Sequence, residues 1–192
     1  MKKYILMATD EFISDRFQRE FSPYDNVSVW NGTFETLPGI DCLVSPGNSF
    51  GLMDGGMDQA IVNYFGDEIQ IKVQSVISDV FYSEQPIGTS FIVGTGDDSI
   101  PYLAHTPTMR VPTDISSTDN VYNAMRATLM ETERHEDINT VAIPAFGHGA
   151  GGVHGAKVAY QMAKAFLQIV AQPKVIDWEY ATKVDYGVGG SF

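Results

Sequence analysis

Thiols, cations and long apolar runs are all scarce in this 192-residue chain. Its single cysteine, Cys42, has no partner for an intramolecular disulfide, and a zinc site built on cysteines needs several. Lys and Arg number 12 against 24 Asp and Glu, a formal net charge of −12. Affinity for nucleic acid or anionic membranes rests on clustered cations, so neither partner is expected. No run approaches the roughly 20 apolar residues of a membrane span. The apolar stretch at 4–8 is cut short by Asp10 and Glu11, where a secretory leader needs a longer run and a cleavage site. These shortages describe a soluble, cytoplasmic chain. Repeats and low-complexity blocks are missing too. The four histidines show no metal-ligand spacing, so neither a metal nor a resident cofactor is expected, and oligomeric state is left open. No Gly-Lys-Ser/Thr phosphate loop occurs.

What is present is a chain able to build a core. Hydrophobic residues make up 44% and aromatics 11%, enough to exclude disorder and to fill a single domain over 1–192. Strand and helix signals alternate. Strands are expected at 4–8, 26–30, 42–45, 90–93, 102–106, 140–146 and 174–183, with a loose tail at 185–192. Asp10 caps a helix with Ile13, Phe17 and Phe21 on one face. Further helices are expected at 58–65, 68–80, 118–133 and 158–170. The second of these carries Ile69, Val73, Val76, Ile77 and Val80 along one stripe. This alternation implies an α/β fold with helices on both sheet faces.

Glycine is unevenly spread. Nine of the 18 fall in two windows, Gly47, Gly51, Gly55 and Gly56, then Gly147, Gly149, Gly151, Gly152 and Gly155. Each window follows a strand and precedes a helix, the position of ligand loops in open α/β sheets. Such loops serve either as tight turns or as cradles whose backbone N–H groups hold phosphate; the repeated context favours the cradle. The second window also contains a Gly-x-Gly-x-x-Gly over 147–152, the fingerprint of dinucleotide dehydrogenases. That motif normally belongs to the first βαβ unit, and Asp177 is the only distant acidic candidate, so a nicotinamide enzyme is the weaker alternative.

Together the windows resemble the macro domain, a family that binds ADP-ribose and in part hydrolyses its conjugates. The first matching stretch is Asp41-Cys42-Leu43-Val44-Ser45-Pro46-Gly47-Asn48, continuing as Asp54-Gly55-Gly56-Met57-Asp58-Gln59-Ala60-Ile61. The second is Ala142-Ile143-Pro144-Ala145-Phe146-Gly147-His148-Gly149-Ala150-Gly151-Gly152-Val153, and Tyr102-Leu103-Ala104-His105-Thr106 resembles the family's middle strand. The likeness runs over about 27–171 and implies a three-layer α/β/α fold with a mixed sheet. A strand and helix over 1–21 would be additional to it.

The resemblance implies that Asn48 contacts the distal ribose and that Asp58, with Asp54 as substitute, positions water. It places Gly47, Ser49, Phe50, Gly55 and Gly56 along the ribose, and Gly147, His148, Gly149, Ala150, Gly151 and Gly152 around the diphosphate. Asn48 equally fits a loop tie, Asp58 a helix-start charge, and His148 either a phosphate donor or an exposed loop side chain. His105 fits a core histidine and Cys42 inert packing. Of the aromatics Phe34, Phe50, Tyr64 and Phe146, only Phe50 is expected near the ligand. Three departures stand out. Gly32 is followed by Thr33 where the family has an adenine-binding Asp, Gly151 replaces an aromatic, and Asp54 replaces a glycine. The expected function is binding of ADP-ribose or a related nucleotide diphosphate ribose, with hydrolysis at the distal ribose or with binding alone.

Overall fold

The computed structural model describes residues 2–8, 10–173 and 175–188. It contains β1 (Lys3–Ala8), α1 (Glu11–Phe21), β2 (Val27–Asn31), a 3-10 turn (Phe34–Thr36), β3 (Cys42–Ser45), α2 (Gly56–Phe65) and α3 (Glu68–Phe81). There follow β4 (Phe91–Gly94), β5 (Tyr102–His105), α4 (Asn120–Arg134), β6 (Thr140–Pro144), α5 (Gly155–Val170) and α6 (Trp178–Val188). The strands form one six-stranded sheet in the order β2-β1-β6-β3-β5-β4. Every pairing is parallel except β4 with β5, so the sheet is mixed.

Both sheet faces are covered, which is why the strands read as continuous apolar runs. Cys42, Val44, Val141 and Ile143 join α1, α4 and α5 in one core, while Leu43 and Ala142, on the opposite face, join α2 and α3 in another. Asp10 accepts from the Ile13 N–H at 2.9 Å and so caps α1, and Ile13, Phe17 and Phe21 are buried as their spacing predicts. Val80 leaves its expected stripe and is 61% exposed, while Phe81, the next residue, packs against the core.

The expected strand at 174–183 is a helix from residue 178 onward. Asp177 Oδ1 accepts from the Tyr180 N–H at 2.9 Å and starts α6, which continues to Val188. The expected loose tail is therefore helical over 185–188, and 189–192 lie outside the described residues. β1, the strand expected in addition to the family likeness, lies inside the sheet, between β2 and β6. No helix among the described residues is long and apolar enough to cross a membrane.

Topology alone singles out one place. β6 and β3 are parallel neighbours, yet β6 leads into α5 on one face and β3 into α2 on the other. Loops that depart to opposite faces from adjacent strand ends leave a crevice between them.

Candidate functional site

A crevice of about 580 Å³ opens at that place, within the range of small-molecule sites. Pro46, Gly47 and Asn48 from the loop after β3 line one wall, with 54–58 at the start of α2. Pro144, Ala145 and 147–151 line the other, and Gly32, Thr33, Phe34 and Glu35 lie along it from the loop after β2. Thr108 and Met109, beyond β5, complete the lining.

Both walls present backbone donors. The loop after β6 folds on itself: Gly152 N–H donates to Gly149 O, and Val153 N–H donates to Gly147 O, each at 3.0 Å. That leaves the N–H groups of Gly149, Ala150 and Gly151 without a hydrogen bond among the described residues. Across the crevice α2 begins at Gly56 behind Gly55, which offers no side-chain cap, so the N–H groups of its first turn are unpaired as well. Two sets of free donors, one at a helix start, make an anion site that needs no cation.

Asn48 is buried and largely spent on its own loop. Its Oδ1 accepts from Phe50 N–H (3.1 Å) and Leu52 N–H (3.3 Å), and its Nδ2 donates to Leu52 O at 2.7 Å. Both acceptor lone pairs and one donor are engaged, so one N–H remains for a ligand.

Asp58 is 7% exposed, and its Oδ1 accepts a 2.6 Å hydrogen bond from the Ser45 hydroxyl. Burial pushes its carboxyl up to about 6; the Ser45 bond opposes this, and the nearby Asp54 charge adds to it. A carboxylate poised there is a competent base near neutral pH. Asp54 itself is exposed at the rim.

His105 is a core histidine, as expected, with a specific task. Its Nδ1 lies 2.7 Å from Gln85 Oε1, while Gln85 Nε2 donates to the carbonyls of Thr89 and His105. Nδ1 is therefore the protonated nitrogen, and Nε2 carries a lone pair with no partner among the described residues. Complete burial pushes the imidazole down to about 3 and keeps it neutral. A Cβ at position 47 would lie under 3.0 Å from that Nε2 and 3.2 Å from Asp58 Oδ2. Gly47 is thus required by close approach.

Eleven of the expected site residues line the crevice: Gly47, Asn48, Asp54, Gly55, Gly56, Asp58, Gly147, His148, Gly149, Ala150 and Gly151. Three do not. Ser49 is buried behind the loop, where its N–H donates to the Met109 and Arg110 carbonyls. Phe50 is not part of the crevice lining, and its carbonyl accepts from Gln74. Gly152 turns its back toward Asp114. The aromatic at the crevice is Phe34, held edge-to-face by Tyr64 at 5.4 Å; Phe146 is core. Met7, Leu52, Met57, Thr108, Met109 and Pro112 also line it and went unanticipated. They sit on a strand, several loops and the first turn of α2, with no shared spacing to announce them.

His148 has both ring nitrogens engaged, Nδ1 3.2 Å from Val153 O and Nε2 3.2 Å from Asp10 Oδ2. The Gly-x-Gly-x-x-Gly follows the last strand of the sheet, not the first, which removes the context a dehydrogenase fingerprint requires.

Comparison with known proteins agrees with this geometry. Residues 44–162 match the sequence model of the Macro domain. An uncharacterized protein of Aquifex aeolicus is 32% identical over 145 residues, covering 76% of this chain and 82% of that one. Among solved structures, the macrodomain of Mycobacterium tuberculosis DarG superposes with a TM-score of 0.60 at 23% identity, covering 73% of this chain and 89% of that one. A variant of the Oceanobacillus iheyensis macrodomain with ADPR gives 0.59 at 19%, covering 71% and 74%. At these identities the structural likeness is one of fold.

Proposed function

The chain belongs to the macro domain family, and from that premise we propose that its crevice binds ADP-ribose or a closely related nucleotide diphosphate ribose. One observation carries the reading. Free N–H groups of Gly149, Ala150 and Gly151 face the uncapped start of α2 across a crevice sized for such a ligand. The diphosphate lies against Gly147–Gly151, and the distal ribose lies toward Asn48, Gly55 and Gly56. The remaining N–H of Asn48 donates to a ribose hydroxyl. Among solved relatives of this fold, the Oceanobacillus iheyensis macrodomain has been obtained with ADP and with ADPR.

Turnover is the second part of the proposal. Asp58, buried at the distal-ribose end and raised toward neutrality, accepts a proton from the water that attacks there. Asp54, exposed to solvent, is the lesser base. A reading as a binding module without hydrolysis is favoured by Asn48, whose side chain spends three of its four hydrogen-bonding positions on the loop.

Calorimetric titration with ADP-ribose, ADP and AMP tests the binding. ADP-ribose and ADP should bind and AMP should bind far more weakly, because AMP lacks the diphosphate. Incubation with mono-ADP-ribosylated protein, ADP-ribose 1″-phosphate and O-acetyl-ADP-ribose then tests turnover. Release of ADP-ribose, lost in Asp58→Asn, supports hydrolysis; tight binding with no release supports the binding module.

A further inference from the structure

His148 sits in the middle of the diphosphate loop, and its surroundings define its charge. Its Nδ1 faces the carbonyl of Val153 and its Nε2 faces the carboxylate of Asp10, both at 3.2 Å. Carbonyls and carboxylates only accept. A neutral imidazole has one N–H and can satisfy one of them; the imidazolium satisfies both. Asp10 is itself fixed, because its other oxygen caps α1 through the Ile13 N–H. That bond first, and His148 second, hold the Asp10 carboxyl below the usual carboxylate range, so it stays ionised.

We propose that Asp10 and His148 are an affinity-determining pair for the diphosphate: neutral and permissive when His148 is protonated, and repulsive when the bare Asp10 carboxylate is left beside the loop. The proposal rests on the function proposed above and adds a residue outside the matched family segment. Its ring donors being spent on Val153 and Asp10, His148 acts on the ligand through charge, not as the phosphate donor its position invites.

The other charged and titratable groups around the loop do not substitute for it. Asp114, packed behind Gly152, is a second anion, with its carboxylate atoms 3.6–3.8 Å from where a Cβ at 152 would lie. Lys157 on α5 donates to the Ser116 carbonyl. His154 uses Nδ1 to accept from the Ala156 N–H and so caps α5. Across the crevice stand Asp54, Asp58 and Glu35, all acidic. Neither ligand loop contains Lys or Arg, so one proton on His148 changes the local balance substantially. Histidine is the side chain whose charge changes between pH 5 and 8. By linkage, a diphosphate that favours the protonated pair makes the protein take up protons on binding.

The test is ADP-ribose titration at pH 6.5 and 8.5 on the wild type, His148→Gln and Asp10→Asn. Asn is chosen because it still caps a helix. Wild-type Kd should rise about fivefold across this range. His148→Gln should lose most of that slope; whatever Asp58 contributes survives in this variant. Asp10→Asn should bind more tightly than the wild type at pH 8.5. A full wild-type slope in His148→Gln, or no gain in affinity at pH 8.5 in Asp10→Asn, would overturn the pair. Absence of ADP-ribose binding at both pH values removes the underlying function and the proposal with it. Binding without the His148-dependent slope removes the proposal alone.

Discussion

At the residue scale, Asp58 shows the conflict between fold and site most clearly. Its folded carboxyl, near 6, lies above the unfolded value of 3.8, so the folded state binds the extra proton. Stability therefore falls as pH rises from about 4 through about 6 and stays lower above that, by about 3 kcal/mol for a shift of this size. Asp58→Asn removes the buried charge and leaves Oδ1 to accept from Ser45. It should raise the melting temperature at pH 8, leave it nearly unchanged at pH 3.5, and abolish any hydrolysis. Equal melting curves at pH 8 would contradict the buried charge. Gly47 gives a complementary prediction, since any side chain there meets His105 Nε2, which Gln85 holds in place. Gly47→Ala should cost about 1–3 kcal/mol in denaturant unfolding, the usual range for overpacking. It should also weaken ADP-ribose binding by shifting the loop against Asp58. The residue types at both positions were legible in the sequence; the reasons were not. Gly47 invited an argument from backbone freedom, and only the packed structure shows that His105, far along the chain, takes the space. Asn48 was open between ribose contact and loop tie, and its three hydrogen bonds to the loop backbone engage most of it in the tie.

At the scale of elements, the two glycine loops were readable because each is local: strand, glycines, helix, all within a short window. The loop after β6 closes so tightly that a Cβ at position 151 would lie 2.7 Å from the Gly147 carbonyl oxygen and 2.8 Å from Ile115. Gly151→Ala should therefore displace the free N–H groups of this loop and raise the Kd for ADP-ribose at least roughly tenfold, as loss of well-placed hydrogen bonds does. Melting temperature should fall by far less than affinity. An unchanged Kd would mean that this loop does not hold the ligand. Helix α6 shows where local reading failed. Val175, Ile176, Trp178 and Tyr180 carry high strand propensity, but Asp177 caps the turn that follows and Glu179, Ala181 and Lys183 are good helix formers. Capping outweighs the strand propensity of the bulky residues there. Phe50 failed for another reason: it lies two residues from Asn48, within the turn that Gly51 N–H closes on Asn48 O, yet it is not part of the crevice lining, where Phe34 arrives from the loop after β2. Proximity in sequence did not survive the turn.

For the whole molecule, the crevice follows from sheet order. β6 and β3 lie side by side though 95 residues separate Ser45 from Thr140, and their helices leave to opposite faces. Strand order of that kind is set by nonlocal packing and could not be read from periodicity, whereas the alternation of strands and helices could. The same applies to the place of β1 between β2 and β6, which brings Asp10 to His148 in the loop after β6. The net charge of −12 excludes tracking along a polyanion but leaves room for one small anion held by backbone donors. Such a site has few counterions to release, so raising salt from 50 to 200 mM should change Kd only about two- to threefold, far less than a nucleic-acid binder shows. Most direct of all is calorimetric titration of the wild-type protein with ADP-ribose at pH 6.5. The account predicts saturable binding of one ligand per chain, with ADP competing for the same site. No heat of binding and no competition would contradict it.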